Sequence, residues 1–180
     1  MITTRARLFF ATLLIGAVAL LPAGRTFAAP GKVAQQITRC HTAQLALHAG
    51  ISSGAAGTLG RELRLRNRSS RVCTLFGYPG TQLLDQHQRP LPTHSTWDLV
   101  YLTGKRQPQI VHLSPGQNAY FVVLWVHIPT GNERCPAARY LRVIPPNAYR
   151  SLQIAAGAGG IDACGGRITV SPVSASHIPI

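Results

Sequence analysis

Polar and apolar residues alternate along most of this chain. Residues 45–51 place Leu45, Leu47, Ala49 and Ile51 on one side of an extended backbone and Ala46, His48 and Gly50 on the other, the period of a half-buried strand. The run SSGAAG at 52–57 is expected to end it. The next stretch, TLGRELRLRNRSSR, sets Leu63 and Leu65 on a core face and Glu62, Arg64, Arg66 and Arg68 on the opposite face, with a turn over Asn67 to Arg71. Cys73 and Leu75 then alternate with Val72, Thr74 and Phe76. Tyr78-Pro79-Gly80-Thr81 reads as a type II turn, with Pro79 fixing φ at its second position and Gly80 supplying the positive φ of its third. Thr81 to Asp85 resume the strand, and DQHQRP is a hairpin loop.

Shorter strands are expected over Trp97 to Leu102 and Gln109 to Leu113, with a turn at Leu113-Ser114-Pro115-Gly116. The segment AYFVVLWVHI, Ala119 to Ile128, is apolar on both faces and rich in β-branched and aromatic residues, so it belongs mid-sheet. YLRVIPP, YRSLQIA and RITVSPV supply three further strands. No segment of ten or more residues after the first 28 keeps a helical period. Eight or nine short strands at this spacing imply an all-β fold, an antiparallel β-sandwich. Trp97 and Trp125 are expected in its core.

The first 28 residues have a different pattern. Arg5 and Arg7 precede an unbroken apolar run from Leu8 to Leu21, and Thr26-Phe27-Ala28 offers small residues at the positions a signal peptidase reads. The run is too short for a comfortable membrane span. Residues 1–28 are therefore read as a secretory signal, 29–39 as a short extension and 40–180 as one domain, with no transmembrane span after cleavage. Cys40 follows Arg39 rather than a small residue, so no lipoprotein signal is present. The expected location is extracellular or in the cell envelope.

Export permits oxidation, so the four cysteines, Cys40, Cys73, Cys135 and Cys164, read as two disulfides before a metal site. They contain no CxxC pair. An antiparallel hairpin brings Cys40, before its first strand, beside Cys73, after its second. Cys135 and Cys164 likewise fall at one end of the sheet. This geometry favours Cys40–Cys73 and Cys135–Cys164 over the other two pairings.

Several short blocks then form a familiar set: Ala55-Ala56-Gly57, Asn67-Arg68-Ser69, Cys73-Thr74-Leu75-Phe76-Gly77-Tyr78-Pro79-Gly80, Leu113-Ser114-Pro115-Gly116, Cys135-Pro136, Leu141 to Pro146 and Val170-Ser171-Pro172-Val173. With the four cysteines they resemble the secreted bacterial family catalogued as domain of unknown function 4232, over about Cys40 to Val173. The resemblance implies an immunoglobulin-like sandwich and an envelope or extracellular location, and it implies no activity. Many relatives carry a lipobox and an acidic or neutral surface; this chain has neither.

The net charge is +13 overall. With the leader removed, fifteen Lys and Arg remain against five acids, a net +10. Such a field attracts polyanions. Sixteen of the eighteen cations are Arg, a bias that a GC-rich genome also produces, so charge alone names no partner. The sharper feature is the stripe Arg64, Arg66 and Arg68, with Arg61 and Arg71 near it. It suits phosphates or carboxylates of an envelope polymer through forked guanidinium contacts, although a solvated strand face has the same pattern. Nucleic acid is not expected, because no stacking aromatics interleave with the arginines. Tyr78 is a second candidate binding residue, as a stacking ring beside its turn.

Catalytic patterns are weak. Gly50-Ile51-Ser52-Ser53-Gly54 matches G-x-S-x-G, yet no helix follows it to form a nucleophile elbow. Asp85, Asp98 and Asp162 are the acids available to orient a histidine beside such a serine. The five acids are scattered singly, which disfavours paired-carboxylate chemistry. His41, His48, His87, His94, His112, His127 and His177 show no metal-ligand spacing, and His127 is expected at a core edge. The sequon Asn67-Arg68-Ser69 carries little weight in a bacterial chain. The expectation is a non-catalytic binding or structural module without cofactor or metal, whose partner is an anionic envelope polymer or another envelope protein. A secreted hydrolase with a spatially assembled Ser/His/Asp site, or an extracytoplasmic metal-binding protein, is the alternative.

Overall fold

A computed structural model describes residues 37–97 and 106–180. The expected signal segment, most of the 29–39 extension and residues 98–102 of one expected strand lie outside these. Among the described residues there are eleven strands: β1 (Thr38–Arg39), β2 (Leu45–Ala55), β3 (Thr58–Asn67), β4 (Cys73–Leu75), β5 (Gly80–Leu84), β6 (His94–Thr96), β7 (Val111–Leu113), β8 (Asn118–Val126), β9 (Tyr140–Ile144), β10 (Leu152–Ala155) and β11 (Arg167–Val170).

They form a five-stranded sheet, in the order β2-β3-β8-β11-β6, and two three-stranded sheets, β1-β4-β7 and β10-β9-β5. Six of the eight strand pairings are antiparallel; the short β1–β4 and β11–β6 pairs are parallel. One apolar core joins Leu63, Leu65, Phe121, Trp125 and Ile168 of the five-stranded sheet to Leu75, Leu83, Leu113, Leu141 and Val143 of the other two. The molecule is thus an all-β sandwich.

The long pairing of β3 with β8 sets the faces. Leu63 lies opposite Phe121 and Leu65 opposite Ala119, both pairs inward, so Glu62, Arg64 and Arg66 point to the outer face opposite Val122, Tyr120 and Asn118. The expected inner and outer residues of β3 are where period two places them. Trp125 is buried as expected, and its indole Nε1 donates to Asp162 Oδ1 at 2.9 Å.

Some local details differ from the expectations. β2 does not stop at Ile51 but runs through a bulge between Ala49 and Ser52 to Ala55, and the chain reverses at Ala56-Gly57. The bulge turns Ile51 out, to 59% exposure. The positive φ expected at Gly80 falls three residues earlier. Gly77 carries the positive φ, 102°, while Gly80 already sits in β5 beside Ile144. Trp97 is not in the core; it is 61% exposed and stacks on Tyr78 with ring centroids 6.1 Å apart. β5 ends at Leu84, and the strand expected over Gln109 to Leu113 forms only over its last three residues.

Both disulfides form as the hairpin argument favoured, Cys40–Cys73 and Cys135–Cys164, and no described cysteine is free. The first joins neighbouring strand ends, since β1 pairs with β4 in a register that sets Thr38 beside Cys73. The second ties the loop after β8 to the turn entering β11. They close loops with sequence separations of 33 and 29 residues, for which chain entropy in the unfolded state gives about 3–4 kcal/mol each. Replacing either pair by serine is expected to lower the unfolding free energy by about that amount, read as a fall in the urea midpoint.

Candidate functional site

The outer face of the five-stranded sheet carries the arginine stripe. Arg64 is half-buried, and Arg66 and Arg68 are exposed. Their neighbours follow from register. His48 on β2 and Tyr120 on β8 flank Arg64, while Ala46 and Asn118 flank Arg66. Arg61 does not belong to this face. It points inward opposite Val123, where its guanidinium donates to the Ala156 carbonyl and to Ser52 Oγ at 3.0 Å, and burial pushes its pKa down.

Glu62 was expected to be solvated among the arginines. Instead it is 1% exposed, because the C-terminal residues fold across the sheet. After β11, Ser174 exchanges two backbone hydrogen bonds of 2.8 Å with Tyr120, and the chain then turns back over β8. Ile178 is fully buried against Val122 and Leu124, with Ile180 beside them, in a small second core on the outer face. Glu62 anchors this clasp. Its carboxylate accepts the Ile178 N–H at 3.0 Å and faces His177 Nδ1 at 2.9 Å, and the His177 ring lies 4.1 Å from that of Tyr120. A Cβ on Gly60 would come within 2.7 Å of Leu124 and 3.5 Å of Ile180, so the bare glycine is what lets the tail lie close. Nothing local in GRELRL announces this. The signal lay in the apolar tail HIPI, which the strand pattern left unassigned.

The other described carboxylates are also engaged. Asp85 turns its hairpin by accepting the backbone N–H groups of Arg89 and His87 and the Arg89 guanidinium, and these bonds, that from the Arg89 backbone first, hold its carboxyl below the usual range. Glu133 pairs with Arg167 beside the second disulfide, with one N···O distance of 2.9 Å, and that hydrogen bond lowers the carboxyl pKa while raising that of the guanidinium. Asp162 accepts from Trp125 and stands 4.0 Å from His127, which sits half-buried just past the end of β8. Arg64, Arg66 and Arg68 therefore have no carboxylate partner among the described residues.

The remaining candidates are spread out. Tyr78 lies between β4 and β5, in the layer opposite the arginine sheet, so it and the stripe do not make one site. Ser52 lies within β2, paired with Arg61 rather than held on a strand-to-helix turn. Asp98 lies outside the described residues. No group of three or more His, Cys, Asp or Glu residues suited to a metal ion occurs among the described residues. Asn67 of the sequon is fully buried: its Nδ2 donates to the carbonyls of Arg71 and Leu113, and its Oδ1 accepts from Ser69. It is a lock for the turn after β3. No described helix is long and apolar enough to cross a membrane.

The family described as Domain of unknown function (DUF4232) matches residues 40–174. The chain belongs to this family. No curated protein and no solved structure matches it. The DUF4232 segment holds both disulfides, β2 to β11, Glu62 and the arginine stripe. It ends at Ser174, where the tail first pairs with Tyr120, so the clasp residues His177 to Ile180 lie beyond it.

Deleting residues 177–180 bares Val122 and Leu124 and leaves the Glu62 carboxylate without its two partners. The expected cost is about 3 kcal/mol or more in urea unfolding. In a Glu62→Ala background the same deletion is expected to cost less by about 1 kcal/mol or more, because no stranded charge remains. A second expectation concerns acid. Glu133 has a folded pKa below its unfolded value, so its contribution is complete at neutral pH and is lost as pH falls through and below the ordinary carboxylate range. Glu133→Gln is expected to flatten that part of the urea-midpoint-against-pH profile.

Proposed function

We propose that this DUF4232 protein is a secreted or envelope-associated binding module without catalytic activity, and that it engages an anionic envelope polymer through the outer face of its five-stranded sheet. The observation that carries this reading is the unanswered charge. Four of the five acids are described, and each is bonded elsewhere, while Arg64 and Arg66 on β3 and Arg68 just past its end have no carboxylate partner among the described residues. Stems fixed on a paired strand hold the Arg64 and Arg66 guanidinium groups in one row, which lowers the ordering cost of meeting a polymer.

The location rests on the two disulfides, which persist in oxidising compartments, and on the leader-like N-terminal sequence. The absence of catalysis rests on the separate engagements of the carboxylates and on the strand setting of Ser52.

The test is binding of the oxidised protein to isolated cell-envelope fractions across a salt series, beside Arg64→Gln/Arg66→Gln/Arg68→Gln. Wild type is expected to bind at physiological salt, more weakly as salt rises, and the triple variant to lose about tenfold or more. Equal retention of both proteins would sink the arginine face as the site.

A further inference from the structure

We infer that the patch bounded by His48, Arg64, Arg66 and Asn118 is a binding site for a phosphate that carries a hydroxyl close by, the chemistry of a polyol phosphate chain. The inference rests on the reading that the arginine face meets anions, and it names the anion.

Register places the patch. His48, Arg64 and Tyr120 form one row across β2, β3 and β8, and Ala46, Arg66 and Asn118 form the next. Directly opposed side chains start about 5 Å apart and diagonal ones about 7–8 Å apart, whereas His48 and Asn118, on either side of β3 and one row apart, start about 12 Å apart. Arg64 and Arg66 lie between them, so the ligand that meets both flanks is a chain segment rather than a single ion. Ala46 contributes a single methyl and leaves room beside Arg66. Tyr120 forms one wall, held by the His177 ring. Glu62, the described carboxylate on this face, is sealed under the clasp and leaves the patch cationic.

Two further atoms point to the ligand. His48 Nε2 and Asn118 Oδ1 are buried polar atoms without a hydrogen-bond partner, one on each flank of the arginines. Buried polar groups are almost always satisfied, so these two call for a partner that the described residues do not supply. They differ in kind: Nε2 donates in the tautomer that carries its hydrogen there, whereas an amide oxygen only accepts. An anion alone answers Arg64, Arg66 and His48 and leaves Asn118 unmet. A hydroxyl on the same ligand supplies the missing donor. Both orphans adjoin a flexible arginine, and the Arg66 guanidinium reaches toward Gly116 in the turn before β8. Drawing these side chains onto an anion opens both corners.

Phosphate fits better than carboxylate. Two guanidinium forks and an imidazole approach from positions spread over two rows, and tetrahedral phosphate oxygens meet them outside a single plane. A chain fits better than a single headgroup, because Arg64 and Arg66 repeat about 7 Å apart along β3 and Arg68 follows just past its end.

The experiment compares two soluble oligomers of equal length and charge, a 1,3-linked glycerol phosphate oligomer and a 1,3-propanediol phosphate oligomer, which differ only in the hydroxyl. Calorimetric titration of the oxidised full-length chain at fixed salt is expected to show about tenfold tighter binding of the glycerol oligomer. Asn118→Val is expected to remove that preference and leave the propanediol affinity in place, while Arg64→Gln weakens both. Equal binding of the two oligomers by wild type overturns the inference and leaves the arginine reading intact. If envelope fractions bind and neither oligomer does, the phosphate is wrong. If nothing binds, both readings fall. Binding to phosphatidylglycerol vesicles with none to the oligomers overturns the polymer in favour of a membrane headgroup.

Discussion

The antiparallel pairing of β3 with β8 is the constraint on which the rest of this structure depends. Nine residues of β3 are matched to nine of β8, from Thr58 opposite Val126 to Arg66 opposite Asn118. Because side chains alternate, this one register decides both faces at once. It turns Leu63, Leu65, Phe121 and Trp125 into the shared core. It also exposes a second, partly apolar face that the domain must cover. A slip of one residue would bury the arginines and expose the leucines, so the core enforces the geometry of the arginine face.

That outer face is divided into two parts. Toward Gly60 and Leu124 it is apolar and closed by the tail; toward Arg66 and Asn118 it is cationic and open. Glu62 marks the boundary. A carboxylate at the margin of an arginine row would ordinarily pair with it, and Arg64 is only two residues away. Capture of Glu62 by His177 and the Ile178 N–H keeps the acid occupied and the arginines available. Structure and surface chemistry thus meet at one side chain.

The sequence made much of the fold legible, for reasons that are local. Alternation locates β2, β3 and β4, a continuous apolar β-branched and aromatic run locates β8, and hairpin logic selects both disulfides, because period, composition and loop closure are properties of short segments. Its failures are equally specific. Glu62 was read as solvated because its burial comes from a segment more than a hundred residues away. Trp97, expected in the core, instead stacks on Tyr78 and stands more than half out of the protein. Gly80 was given a turn that belongs to Gly77, since Pro-Gly is a turn signal whose placement the next strand can override. The arginine stripe was found from its pattern. Its orphan neighbours, His48 and Asn118, were invisible until register set them beside it.

The clasp also sets an order of events. A chain made from its N-terminus presents β2 and β3 early, β8 later, and His177 to Ile180 after every strand of the sheet. Until those last residues are free to fold back, Glu62 has neither partner and Val122 and Leu124 have no cover. The sheet is then an open surface with a bare charge at its centre. Completion of the outer face therefore waits for residues 177–180, and the arginine row takes its final surroundings only once they have docked.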